Sequence, residues 1–194
     1  DGTTSAAFTD PQPDPVLVNV VNDDDVTLDT SGATATFDTA TAGSGKTVTI
    51  TDADLGGLKA GNYELADPLT TLASIDKLVL TVTADDKVKT YGEVNPELTV
   101  SYSGFLPGED ADDLTTKPTA ATAATQYSDV VVGGYAITAS GGVADNYSFS
   151  YVAGTLTIDA RTLTVVQAGL VEDKDYDGTT SAAFTDPQPD PVLV

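Results

Sequence analysis

The sequence predicts an all-β protein assembled by tandem repetition, and three observations carry that expectation. Apolar residues recur at every second position through most of the chain, the period of a strand with one face buried and one in water. No long segment spaces its apolar residues at the 3.6-residue period of a helix. The eighteen residues at 1–18 recur unchanged at 177–194, an offset of 176 residues, which marks a repeat array of that period.

The elements follow in order. Pro11, Pro13 and Pro15 exclude a helix at the start. Residues 16–21 are a short apolar strand candidate, and Asn22, Asp23, Asp24 and Asp25 an acidic turn. Val26 and Leu28 continue at strand spacing, and residues 33–37 alternate apolar residues with threonine. Gly43, Ser44 and Gly45 read as a hairpin turn leading into 47–51, where Val48 and Ile50 face a core and the threonines face water. Gly56, Gly57 and Gly61 punctuate a loop, and Tyr63 opens a further strand over 63–65.

Leu78, Leu80 and Val82 share one face of the next strand. The spacing returns at Leu98, Val100 and Tyr102, at Tyr135, Ile137 and Ala139, and at Tyr147, Phe149 and Tyr151. It returns again at Leu156 and Ile158 and at Leu163 and Val165. Threonine and valine favour strands. One helical turn is expected over 109–114, after Pro107 and Gly108. The strands are expected to be antiparallel, with one face in water.

A weaker repeat lies inside the first. Asn62-Tyr63 matches Asn146-Tyr147 at an offset of 84, and Leu80-Thr81-Val82 matches Leu163-Thr164-Val165 at an offset of 83. The period therefore holds two related domains of roughly 85–90 residues, the size of a small sandwich. The expected architecture is an elongated array of small immunoglobulin-like sandwiches, with a β-grasp-like arrangement as the alternative. By this ruler 1–76 is a β domain lacking its opening strand, 77–160 is complete, and 161–194 begins the next copy.

Composition narrows the partners. Thirty acidic residues against eight basic ones give a net charge of −22, which argues against nucleic acid and anionic membrane surfaces. Without cysteine or histidine there is no zinc site, no thiol chemistry, no disulfide and no histidine-based catalysis. No run of about 18 apolar residues is present for membrane insertion, and no secretion signal or anchor is visible in 1–194.

At its motifs the chain resembles two repeat families of large bacterial surface adhesins. Tyr176-Asp177-Gly178-Thr179-Thr180, with Asp24-Asp25-Val26-Thr27-Leu28, Ala35-Thr36-Phe37, Gly45-Lys46-Thr47-Val48-Thr49 and Ala60-Gly61-Asn62-Tyr63, is similar to the YDG domain. Tyr91-Gly92-Glu93, Asn95-Pro96, Ser103-Gly104-Phe105, Gly108-Glu109-Asp110, Gly134-Tyr135, Asn146-Tyr147 and Gly154-Thr155-Leu156 resemble the MBG domain of the YGX type. In these terms 1–76 and 161–194 are YDG-type and 77–160 is MBG-type. The resemblance implies a secreted or surface-attached bacterial protein in which such modules repeat as stalk units, some credited with mucin or glycan binding. It implies no catalytic residues.

Each residue set that suggests chemistry also has a plainer reading. Asp173, Asp175 and Asp177 before Gly178 fit the first half of a calcium loop, with hard oxygen ligands at alternate positions. Position 12 is Phe184 and not glutamate, so this is no EF-hand, and the alternative is the family turn preceded by two solvated acids. The 22–25 run reads as a solvated hairpin tip, with ion binding as its alternative. Tyr91 and Tyr176 read as buried plugs of their sandwiches, with sugar stacking as the alternative. Asn62 and Asn146 are expected to bond loop backbone. Glu109 and Asp110 are adjacent and do not flank a bond as glycosidase acids do, so no enzyme is expected. Lys46 or Lys77 with an asparagine is the candidate isopeptide pair.

Two classes of function remain. The first is a structural repeat of an extracellular fibre or adhesin stalk, in which one period adds roughly 60–80 Å from strands rising ~3.3 Å per residue. Its partners are neighbouring repeats along the fibre or, in a homo-assembly, separate copies. A strand over 163–167 would then complete the following YDG-type unit. The second is a glycan- or mucin-binding repeat acting by avidity.

Overall fold

The computed structural model describes residues 2–7, 16–66, 68–164 and 171–184. The chain divides into a large unit, 1–159, and a small one, 160–194. The prolines at 11–15 and the expected strand beyond Thr164 lie outside the described residues.

The described chain is nearly all β. In the first part, β1 (Ser5–Ala6), β3 (Thr34–Phe37), β4 (Gly43–Thr51) and β6 (Leu69–Ile75) form an antiparallel sheet in the order β1-β3-β4-β6. Alternation in β4 buries Val48 and exposes Thr47 and Thr51. A small ladder pairs β2 (Thr27–Asp29) with β5 (Asp54–Gly56). Ala35 and Val48 are the buried hydrophobic residues among the described residues of 2–76, so this sheet has little core of its own.

The second part is a two-sheet sandwich. One sheet orders β12 (Tyr147–Val152), β7 (Leu78–Ala84) and β9 (Val100–Ser103). The other orders β10 (Thr119–Thr122), β11 (Tyr135–Ser140), β13 (Gly154–Asp159) and β8 (Lys87–Thr90). Val82 and Ala84 from the first sheet pack with Ile137, Ala139, Leu156 and Ile158 from the second. A neighbouring cluster joins Leu80 to Leu114, Ala144 and Tyr147. Val100, Tyr135 and Phe149 are partly buried against the main cluster, so the inward face matches the alternation in the sequence. The helical turn at Ala111–Asp113 also forms: Asp110 accepts from Asp112 N, and the Asp113 carboxylate accepts from Asp110 N.

Several expectations are corrected. The strands are not all antiparallel: β12 runs parallel to β7 and β13 parallel to β8. Side-chain alternation is the same in both orientations, so sequence period does not distinguish them. Residues 16–21 form no strand, because the left-handed backbone at Asn19, Asn22 and Asp23 turns the chain and leaves Val16 86% exposed. Gly43, Ser44 and Gly45 are not the hairpin turn; they begin β4 with a register irregularity against β6, and Gly45 takes φ 61°. The chain instead turns over 38–42. Residues 63–65 are not a strand, because the Tyr63 ring ties the segment to the acidic turn. Strands β8 and β10 lie outside the expected set, whereas β6 ends at the Ile75-Asp76 pair that the internal repeat places after a closing strand.

Candidate functional site

The first and last strands of the sandwich form one continuous feature. Leu78 to Thr83 face Tyr147 to Val152, and Lys87 to Thr90 face Leu156 to Asp159, all at a constant offset of 69 residues. Two residues separate β7 from β8 and one separates β12 from β13, and neither β7 with β8 nor β12 with β13 pairs as a hairpin, the members lying in different sheets. Each pair is therefore a single strand that bends and changes sheet, as strands do at sandwich corners. The result is a parallel ribbon spanning 78–90 and 147–159. The chain enters it beside Tyr147 and leaves it beside Thr90, where Tyr91 N donates to the Asp159 carbonyl at 2.8 Å.

The corner explains a glycine. A Cβ on Gly154 would stand 2.2 Å from the Ala84 carbonyl oxygen, so only glycine lets the two bends nest. Asp86 Oδ1 accepts from Thr155 N at 2.7 Å and holds the far side of the bend.

Beyond the corner lies a polar knot that sequence reasoning missed. Lys89 is 5% exposed. Its ammonium donates to the carbonyls of Glu93, Thr125 and Gln126 at 3.0, 2.8 and 3.1 Å. Asn95 Nδ2 donates to the Ala124 carbonyl, and Gln126 Nε2 to that of Gly92. These bonds lash the Tyr91-Gly92-Glu93 turn to the 122–128 loop. All three ammonium protons are used, which a buried cation needs in a low-dielectric site. The sequence misleads here, because alternation in Lys87-Val88-Lys89-Thr90 would turn the valine inward, yet Val88 is 61% exposed and Lys89 is buried.

A second anchor sits at the other end. Tyr147 is buried; its hydroxyl accepts from Leu106 N at 3.0 Å and donates to the Glu109 carboxylate. Burial, followed by that carboxylate, pushes the phenol above its ordinary pKa. Glu109 and Asp110 thus serve a tyrosine and a capping turn. Asn146 Oδ1 accepts from Ala42 N at 3.0 Å, bonding loop backbone as expected. Asn62 lies in the 3-10 turn Ala60–Asn62, where its N–H bonds the Lys59 carbonyl.

The acidic turn is not a hairpin tip. Asp24 Oδ2 accepts from the Tyr63 hydroxyl at 2.8 Å, and Asp25 Oδ2 accepts from Leu58 N at 3.1 Å. Tyr63 also borders a shallow depression with Asp54 and Glu64. The plug reading of the turn tyrosines is corrected. Tyr91 is partly exposed and Tyr176 is 97% exposed, while Leu80, Ile137 and Leu156 fill the sandwich. Lys46 Nζ pairs with Asp38 at 3.1 Å, and Lys77 Nζ donates to the Ala144 carbonyl at 2.8 Å.

In the small unit, Asp177 Oδ1 accepts from Lys174 Nζ at 2.8 Å and from Thr179 N and Oγ1 at 2.9 Å. Lys174 above all holds this carboxyl below its ordinary pKa. Asp173 and Asp175 are exposed. Among the described residues no three acidic side chains are grouped so that they could hold a metal ion. A calcium ion here would have to take Asp177 from Lys174 and Thr179.

Two known domain families match the chain. The YDG domain family matches residues 1–71, and the MBG domain (YGX type) matches residues 80–157. No curated protein and no solved structure matches the chain. Domains of both kinds occur in surface-type repeat proteins. From its motifs, its β architecture and these two matches, the chain is a YDG domain followed in tandem by an MBG domain of the YGX type.

Proposed function

We propose that the chain is a non-enzymatic repeat unit of a long extracellular fibre or adhesin stalk on a bacterial surface, giving length and attachment. The observation that carries this reading is the parallel ribbon. A stalk segment has to pass the chain from one end to the other and bear tension along that axis. Parallel first and last strands do both, because the exit lies opposite the entrance. Tension between residues 77 and 160 loads six register pairs of β7 with β12 and four of β8 with β13 together, in shear. The thin 1–76 sheet, with two buried hydrophobic residues among those described, fits a unit completed by the strand equivalent to 163–167 of the preceding copy.

Single-molecule pulling tests this, with attachment through cysteines introduced into a chain that has none. Attachment at 77 and 160 is expected to need a rupture force several-fold above attachment at 77 and 146, which peels the ribbon one pair at a time. Equal forces would remove the support for the stalk. The depression beside Tyr63, with Asp54 and Glu64 on its rim, favours a second reading, a glycan-binding repeat acting by avidity. Saturable binding of the chain on a glycan array, lost in Tyr63→Ala, would select it.

A further inference from the structure

The two domains share one plan down to single side chains. In the sandwich the Tyr147 hydroxyl accepts from Leu106 N at 3.0 Å and donates to the Glu109 carboxylate, while Glu109 N closes a turn on the Leu106 carbonyl. In the first part the Tyr63 hydroxyl accepts from Val21 N at 3.0 Å and donates to the Asp24 carboxylate, while Asp24 N closes the same turn on the Val21 carbonyl. Phe37, Val48 and Thr71 stand abreast in one sheet as Thr122, Ile137 and Gly154 do in the other. Within the chain these two domains meet over a short connection, Asp76 and Lys77, between β6 and β7. There Asn146 Oδ1 accepts at 3.0 Å from Ala42 N, next to the Gly43–Ile75 pair, and the Asn146 carbonyl accepts from Leu78 N at 2.9 Å. One asparagine therefore bolts the entrance of the second domain to the exit of the first.

We propose that the same bolt recurs at the exit of the MBG domain, where the turn at Val131 and Val132 receives Asn62 and Leu58 of the YDG domain that follows in the same chain. The occupant is identified by sequence: residues 177–194 repeat 1–18, so the domain begun after 160 is YDG-type. The connection has the same length, since Ile75-Asp76 and Leu80-Thr81-Val82 recur as Ile158-Asp159 and Leu163-Thr164-Val165 at one offset of 83. A shared plan joined by an equal connection brings the incoming domain into the same relation. Asn62 has the place of Asn146, directly before the locked tyrosine, and is exposed. The receiving turn follows from the matched strands: Ala42 lies six residues before Val48, and Val131 lies six before Ile137. That turn is at the exit end of the sandwich. Gly134 N closes it on the Val131 carbonyl at 3.2 Å, and a Cβ on Gly134 would stand 2.7 Å from the Leu156 carbonyl oxygen. Val131, Val132 and Tyr127 are exposed there, and Leu58, four residues before Asn62, is 91% exposed. Apolar side chains on both surfaces supply the buried area that one hydrogen bond lacks. This inference rests on the tandem order of the stalk reading and not on its load path; a stalk of freely hinged domains would still pass the pulling test, so the two fail separately.

Amide exchange read by NMR tests it, in a chain made of 1–176 followed by a further copy of 1–76, where 77–160 occurs once. Of the Val131 and Val132 amides, one is expected to exchange about tenfold more slowly than in the 194-residue chain, the worth of one added hydrogen bond. Asn62→Ala in the second copy is expected to restore the fast rate. Asn62→Asp keeps an acceptor oxygen and is expected to preserve the slow one. The bolt inside the 194-residue chain sets the standard: Asn146→Ala is expected to speed exchange at Ala42 by a similar factor. The proposal is overturned if both valine amides exchange alike in the long and the 194-residue chains, or if Asn62→Ala leaves the slow amide slow. Protection that appears in the 194-residue chain as its concentration rises would give the turn to a separate copy and overturn it as well.

Discussion

Replacing Lys89 by methionine isolates the worth of the buried ammonium. Methionine keeps most of the apolar stem and removes three charged donors from the carbonyls of Glu93, Thr125 and Gln126. A hydrogen bond from a charged group contributes about 1.5–3 kcal/mol, so three amount to roughly 5–9 kcal/mol gross. Dehydrating an ammonium to 5% exposure offsets several kcal/mol of that. The carbonyls left behind are loop groups that water can partly reach. The expected net loss is about 2–4 kcal/mol. Urea unfolding followed by circular dichroism and tyrosine emission reads it, in a chain with eight tyrosines and no tryptophan. With an m-value of about 1–3 kcal/mol/M, the midpoint of the sandwich transition falls by on the order of 1–2 M at unchanged slope. A Lys89→Met chain as stable as the parent, or more so, would refute the reasoning, because dehydration would then equal or outweigh the three bonds.

Three further outcomes are expected. Gly154→Ala drives a Cβ to within 2.2 Å of a backbone oxygen at the ribbon corner; a loss of about 3 kcal/mol or more is expected in the same unfolding assay, and an unchanged midpoint would show that the corner yields. Tyr147→Phe orphans Leu106 N and the Glu109 carboxylate, for a loss of about 1–3 kcal/mol together with loss of amide-exchange protection at Leu106. Acid is expected to weaken the fold. Asp29, Asp38, Asp85, Asp112 and Asp177 are held below the ordinary 3.8, chiefly by Ser31, Lys46, Thr99, Lys117 and Lys174 respectively. A carboxyl whose pKa is depressed by folding stabilises the fold above its unfolded value, and that contribution is lost as pH falls through the lowered one. Thermal melts are therefore expected to stay level from pH 7 to about pH 5, a range in which a chain without histidine has no side chain that ordinarily titrates, and to fall as pH drops below 3.8; a fall already under way between pH 7 and about 5 would contradict the reasoning.

Alternation by itself determined the main strands of the sandwich and which way their core residues face. Leu80, Val82, Ile137, Leu156 and Ile158 are inward both by period and by burial, because a strand's two faces are written locally, residue by residue. The helical turn after Pro107 and Gly108 was legible for the same reason, though the cap at Asp110 was not. Pairing is different. That β7 lies beside β12, 69 residues away, and parallel to it, depends on which edges meet once the sandwich closes. Lys89 looks like a misplaced surface lysine until the 122–128 loop folds over it and brings three carbonyls to its ammonium. Gly154 looks like a turn residue until the Ala84 carbonyl arrives beneath it. Residues 4–6 and 180–182 make the division plain: the sequence is the same, yet one copy is a strand and the other an exposed stretch. A two-residue strand does not stand alone in water, and only the edge of β3 supplies the partner that makes it one.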